Sequence, residues 1–146
     1  MPANQYSSGG ANNLIDGIRC APDFRINGWL GFEKNNLEAI IDLRAPKELS
    51  TFGASFVQDI NAWVFFPSSI EVLISNDGIN YNLIGVVQNE VSLEKAGTLL
   101  KLFELSNKKV KGRYVKLIAH NIGKCPPDHK GLGAPAWLFA DELILK

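Results

Sequence analysis

The chain of 146 residues fits a single domain, 1–146, long enough to bury a core without disulfide or metal staples. Hydrophobic residues make up 46% and charged residues 21%, which excludes a disordered or fibrous chain. Lys plus Arg and Asp plus Glu each number 15, so no net field draws the protein to nucleic acid or to an anionic membrane. No apolar run approaches the ~20 residues of a membrane-spanning helix. The opening "MPANQYSSGGANN" lacks the basic and apolar regions of a signal peptide. The expectation is either a cytoplasmic protein or a piece of a longer exported chain.

In chain order, the first long irregular segment, 12–36, carries Cys20, Arg25 and Trp29. A strand follows, where Ala39, Ile41 and Leu43 alternate with Glu38, Ile40 and Asp42. Further strands are predicted at 51–58, 69–75, 82–87, 99–105 and 138–145, with another where Val115, Leu117 and Ala119 alternate with Tyr114, Lys116 and Ile118. Between the first of these strands lies the irregular segment 59–68, which brings Trp63 just after Gln58 and Asp59. The stretch "SNDGINY" at 75–81 has the amide and carboxylate spacing of a calcium loop, but Val87 stands where the closing bidentate Glu of an EF-hand belongs, and the flanks are strands. A hairpin turn closed by Asp77-Gly78 is the better reading, because glycine accepts the positive φ of primed turns. Helical signal is confined to one turn at 92–97, "SLEKAG". The run Lys108-Lys109-Val110-Lys111-Gly112-Arg113 lacks interleaved aromatic residues and reads as a solvated turn. The last irregular segment, 121–137, holds Cys125, Asp128, His129, Lys130 and Trp137.

About seven or eight short strands without a strand-helix-strand rhythm predict an all-β antiparallel sandwich. Binding groups on such a scaffold reside in its loops, and the three long loops hold all three tryptophans. An aromatic face against the C–H patches of a pyranose, flanked by a few polar side chains, is a common sugar site. The candidates are Trp63, Asp59, His129 and Arg25; Trp29 and Trp137 read as core, while Trp63 divides evenly between core and contact. His120 reads as a structural strand residue, and His129 as loop structure or ligand contact. No nucleophile elbow, zincin motif, P-loop or dinucleotide fingerprint is present, and Asp128 beside His129 makes no coherent catalytic constellation. Cys20 and Cys125 lack zinc spacing; a disulfide between them is open, with two free thiols the simpler expectation.

"LIDG" at 14–17, "LEAIIDL" at 37–43, "SIEVLISNDGINYNLIG" at 69–85, "GRYVKL" at 112–117 and "DELIL" at 141–145 together resemble the factor V/VIII type C, or discoidin-like, domains. Within that group, "DGIRCAPDFRINGWLGFEKNNLEAIIDL", "FVQDINAWVFFPSSIEV" and "PDHKGLGAPAWLFADEL" are similar to the C-terminal module of bacterial family 20 glycoside hydrolases, the chitobiases and β-N-acetylhexosaminidases. The resemblance implies an eight-stranded antiparallel jelly-roll sandwich of the galactose-binding-like kind, similar to carbohydrate-binding module family 32. It implies a periplasmic or extracellular parent enzyme whose catalytic barrel lies outside this chain. The partners it implies are that barrel and a weakly bound glycan, holding the enzyme near N-acetylhexosamine- or galactose-containing chains; the alternative is an accessory domain that packs on the barrel and binds no sugar. It also implies one structural Ca2+, with side-chain oxygens from Asp16 and Glu142 and carbonyls from Asn13, Ile18 and Asp141.

Overall fold

The structure, a computed structural model, describes residues 1–7 and 9–146, with side chains described everywhere except at 107 and 108. Six strands, β1 (Leu30–Glu33), β2 (Leu37–Asp59), β3 (Ser69–Ser75), β4 (Asn82–Gln88), β5 (Thr98–His120) and β6 (Trp137–Leu145), hydrogen-bond in the order β1-β6-β2-β5-β3-β4. All of these pairings are antiparallel. β2 and β5 run alongside each other for their full length, but their register slips between Asp42 and Lys47 and again between Leu49 and Thr51. Such irregularities bend a strand pair and increase its twist. Positions 37–42 of β2 pair with 114–119 of β5 next to β3 and β4, whereas 51–59 pair with 98–106 next to β6 and β1. The two long strands thus pass from one layer to the other, and the six strands supply eight straight segments in two layers of four. This is the expected antiparallel jelly-roll sandwich.

The core lies between the layers because inward side chains recur at period 2 on both. Ala54, Phe56, Phe103, Leu138, Ala140 and Leu143 of the front layer meet Leu37, Ile70, Leu117 and Ala119 of the back layer. Phe103 is packed edge-on by both Phe56 and Phe66, at 5.4 and 5.7 Å between ring centroids.

The predicted strands all fall within β2 to β6, but three expectations need correction. β1 was hidden in the segment 12–36, because Leu30, Gly31 and Phe32 are all buried and leave no alternation to read. Positions 92–97 form no helix; the Lys95 N–H donates to the Ser92 carbonyl at 3.3 Å and the chain turns once. The basic run is strand rather than turn: Lys109 to Arg113 lie within β5, while the Lys108 side chain is outside the described residues. Arg113 is held by a bidentate pair with Asp42, both contacts at 2.9 Å.

The hairpin joining β3 and β4 is closed by Asp77. Its Oδ1 accepts from the Ser75 hydroxyl and from the Ile79 and Asn80 N–H groups, each at 2.8 Å, and its Oδ2 accepts from the Asn80 amide at 2.7 Å. Gly78 takes φ 73°, but the connection between β3 and β4 is six residues long, 76–81, and Asp77 is not left-handed, so this is a longer loop braced by the Asp77 carboxylate rather than the two-residue primed turn expected.

The outer face of the front layer is covered by the loop preceding β1, and a bulge in β6 makes this possible. Ser55 pairs with Glu142 and the next residue, Phe56, with Ala140, leaving Asp141 without an opposite residue. The extra residue shifts the alternation, so Leu138, Ala140 and Leu143 face the core while Phe139, Asp141 and Glu142 face the loop. Phe139 packs there with Phe24, Trp29, Val57 and Val64 in a second small cluster, and the Trp29 indole N–H donates to the Ala21 carbonyl. Trp29 is core, as expected.

Candidate functional site

Two groups of loop residues carry chemistry, one at the end of the sandwich and one on its flank. At the end, β2 runs into a 3-10 turn, Ile60–Ala62, capped by the Asp59 carboxylate accepting from the Asn61 N–H at 3.2 Å. Trp63 follows in the left-handed conformation, φ 62° and ψ 25°, a backbone state that costs a bulky residue of order 1–3 kcal/mol. Four backbone bonds hold it there. Its N–H donates to the Ile60 carbonyl at 3.1 Å, its carbonyl accepts from Trp137 N–H at 2.9 Å, and Val64 bridges Asp59 in both directions. With its backbone so fixed and its neighbour Val64 buried, Trp63 remains 40% exposed.

His129 comes to the same place from the loop before β6. Its Nε2 lies 2.6 Å from the Ile60 carbonyl and its Nδ1 accepts from the Gly131 N–H at 2.9 Å. Those partners fix the tautomer: a carbonyl only accepts, so Nε2 carries the proton and Nδ1 does not. Both ring nitrogens are therefore engaged with backbone, and Asp128 binds neither, which removes the Asp128–His129 pair as an acid/base unit. His129 can offer a ligand its ring, already edge-on to Phe65 at 5.4 Å, but no free nitrogen.

Arg25 lies on the loop before β1, paired with Asp23 at 3.2 Å and placed over the Phe24 ring at 5.0 Å. Phe24 packs in the cluster that also takes Ala62, next to Trp63, so Arg25 belongs to the same end, its recorded partners there being Asp23 and the Phe24 ring. Sequence reasoning missed Gly131 and Leu132. A Cβ on Gly131 would stand 2.9 Å from the Trp63 Nε1 and 3.1 Å from the His129 Nδ1, and Leu132 beside it is 66% exposed. The glycines flanking Leu132 in "KGLG" were the available signal. A cleft opens next to this group, lined by Ile60, Leu93, Glu94, Pro126, Asp128 and His129. Gln58, wholly buried, ties its walls together: its carbonyl accepts from Phe66 N–H and its amide donates to the Ser92 carbonyl, each at 3.1 Å.

On the flank, the other Asp-Gly turn meets the β6 bulge. Gly17 N–H donates to both oxygens of Glu142 at 3.2 and 3.3 Å. Cys20 N–H donates to Asp141 Oδ2 at 2.7 Å, and the Ser55 hydroxyl donates to Asp141 Oδ1. Asp16 accepts from its own turn, Ile18 N–H, at 2.8 Å. Asp141 and Glu142 are both buried, and among the described residues no ion pair involves Asp16, Asp141 or Glu142. Burial, then the charges of Asp16 and Asp141, push the Glu142 carboxyl above its ordinary value. Burial and the same three carboxylates push up the Cys20 thiol. Asn13, Asp16 and Ile18 line one shallow depression with Cys20, Asn27 and Gly28. Of the residues expected as calcium ligands, Asn13, Asp16 and Ile18 share this depression and Asp16 lies near Glu142, while Asp141 presents its side chain to Cys20 and Ser55; among the described residues no group of three or more His, Cys, Asp or Glu side chains is placed to hold a metal ion. Carboxylate and carbonyl oxygens are the donors a hard cation takes, although Arg19 and Lys101 line a depression with Asp141.

Cys20 and Cys125 are free thiols, Cys20 packing on the flank cluster and Cys125 buried with Phe65 and Ala136. His120 is structural, its Nε2 at 3.0 Å from Glu71 and its Nδ1 at 3.3 Å from the Asn36 amide. No helix is long and apolar enough to cross a membrane among the described residues.

Solved structures share this architecture. CpGH89CBM32-5 from Clostridium perfringens, in complex with GalNAc-β-1,3-galactose, is similar with a TM-score of 0.55 at 22% identity, covering 92% of this chain and 81% of its own. The C-terminal domain of a chitobiase from Bacteroides fragilis gives 0.55 at 20% identity, covering 97% and 86%. CBM32-3 from a family 31 glycoside hydrolase of Clostridium perfringens gives 0.60 at 14%, covering 99% and 84%. At these identities the likeness establishes the fold. Among curated proteins, none matches in sequence. The F5/8 type C domain model matches residues 2–129, and on that match the chain belongs to the F5/8 type C domain family.

Proposed function

We propose that the chain is a non-catalytic carbohydrate-binding module that holds a glycoside hydrolase of the exported chitobiase or β-N-acetylhexosaminidase kind near glycans containing N-acetylhexosamine or galactose. The observation that carries this reading is Trp63, an indole held 40% exposed by a fixed left-handed backbone, beside the cleft that Ile60 and His129 line. Its face would take the apolar side of a pyranose, with Asp59, through the oxygen left free by the Asn61 cap, and Arg25 as hydrogen-bonding groups; the His129 ring would add contact area. Such sites are weak, since sugar hydroxyls exchange good water contacts for protein ones. The similar structure bound to GalNAc-β-1,3-galactose and the similar chitobiase domain support the choice of glycan and parent.

The test is titration with a panel of N-acetylhexosamine and galactose glycans followed by NMR. Saturable shifts centred on Trp63, weakened about tenfold or more by Trp63→Ala, a loss of ~1.4 kcal/mol, are the expected result; no shifts near Trp63 and His129 across the panel would reject the reading. A second reading, an accessory domain packed on the parent's catalytic barrel, is favoured by the apolar surface that Trp63 and Leu132 leave exposed. It predicts that removing the module lowers the parent's stability without changing its retention on insoluble glycan.

We also propose that Asp16 and Glu142 hold one structural Ca2+ through their carboxylates, with carbonyl oxygens from Asn13, Ile18 and Asp141. Its role would be to neutralise the flank carboxylates and fasten the loop before β1, not to meet the sugar.

A further inference from the structure

Resting on the glycan reading above, we propose that His129 and Gly131 are positioning residues that mount the Trp63 face, and that the mount requires a neutral His129. The Ile60 carbonyl is the shared point. It accepts from the Trp63 N–H at 3.1 Å and from His129 Nε2 at 2.6 Å. The same imidazole accepts from Gly131 N–H through Nδ1 at 2.9 Å. Gly131 in turn lies so close to the indole that even a methyl group on it would sit 3.0 Å or less from two Trp63 ring atoms, Nε1 and Cε2. The imidazole therefore sets the distance between the 3-10 turn that carries Trp63 and the loop that presses on its ring.

This arrangement works for one protonation state only. A proton on Nδ1 would confront the Gly131 N–H with a second donor, so the bond is present while the ring is neutral and is lost as acid charges it. The loop would then retreat from Trp63. The ionisable groups about the ring are Asp128 and Lys130 on its own loop, Glu94 across the cleft and Asp59 beside Ile60.

Gly131→Ala and His129→Gln separate the parts of this mount. Gly131 lies outside the left-handed region, so alanine adopts its backbone without strain and acts only through the contact with Trp63 and His129. Glutamine retains a donor for the Ile60 carbonyl but takes up no proton. The ligand-free readout is the Trp63 indole N–H resonance, assigned with Trp63→Phe, together with iodide quenching of tryptophan fluorescence. Both are measured at about pH 8 and about pH 5, the span in which an imidazole changes charge, alongside titration with the glycan panel.

The expected result is a Trp63 resonance that shifts in wild type on acidification and in Gly131→Ala at both pH values. Affinity should fall roughly fivefold in each case, as for the loss of one net hydrogen bond, with the melting transition still cooperative. His129→Gln should show no pH response in either readout. A Trp63 resonance indifferent to both Gly131→Ala and acid, or a pH response that survives in His129→Gln, overturns the proposal. If Trp63 responds as expected but wild type binds none of the panel, the mount stands and the glycan reading fails.

Discussion

The chain contains two Asp-Gly turns that look alike in sequence and do opposite electrostatic work. Asp77-Gly78 closes on itself: four donors from Ser75, Ile79 and Asn80 satisfy one carboxylate. Those bonds, with the Asn80 side chain first, hold the Asp77 carboxyl well below the usual carboxylate range. Asp16-Gly17 turns outward, giving its glycine N–H to Glu142 and setting Asp16 beside two further carboxylates. There burial and like charge push Glu142 the other way. A self-satisfied turn is a fold landmark, while a turn that sets carboxylates side by side is where the proposed cation would bind.

The largest test of this contrast is the anchor of the outward turn. Asp141→Ala removes acceptors for Cys20 N–H and the Ser55 hydroxyl, and is expected to cost about 3 kcal/mol in chemical denaturation, since bonds to a charged group contribute ~1.5–3 kcal/mol. Amide exchange at 75–80 should be unchanged, because the other turn shares none of these bonds. Calcium is the next test. At about a hundredfold excess over its dissociation constant it should stabilise the protein by ~2.7 kcal/mol. Glu142→Gln should abolish that response and Asp77→Asn should leave it intact; equal responses in both variants would erase the distinction.

In chelator the same two variants should move stability in opposite directions, up for Glu142→Gln, which removes a carboxylate that burial and like charge disfavour, and down for Asp77→Asn. The smallest effect is the pH dependence of the calcium-free protein. Because Glu142 is raised from its ordinary 4.5, its ionised form costs stability at neutral pH, and that cost is lifted as the pH falls through the raised value toward 4.5. Asp42, lowered from 3.8 to about 2 by Arg113, and Asp77 contribute stability that is present above their unfolded values and lost as the pH falls through their folded ones. Thermal melts should therefore show a shallow gain on mild acidification before the loss in strong acid, and Glu142→Gln should remove the gain alone.

Most of the scaffold was legible because alternating strands such as 38–43 and 114–119 must hide one face. The parts that were not legible are where alternation breaks. The stretch 44–50 reads as a loop since a strand crossing between layers exposes its corner to water, and Arg44 there takes φ 68°. In β6 the only sign of the bulge was two adjacent acidic residues, Asp141 and Glu142, which an unbroken strand would send to opposite faces. At the candidate binding end, the types of Trp63 and His129 drew attention to them. The left-handed backbone of one and the doubly engaged nitrogens of the other have no sequence signature, because both are set by tertiary bonds. Arg25, Asp59 and Trp63 were grouped from loop position, and the fold gathers their loops, with Arg25 paired to Asp23.

The passage of β2 and β5 through both layers also bears on how the chain folds. Pairing Asp59 with Thr98 at one end and Leu37 with Ala119 at the other joins segments far apart in sequence, so loop closure precedes most of the reward and folding should be slow for a chain of this size. Once zipped, neither layer can come apart without unpairing strands that belong to the other. Exchange protection should accordingly be continuous across the register slips, with front and back layers lost in a single transition.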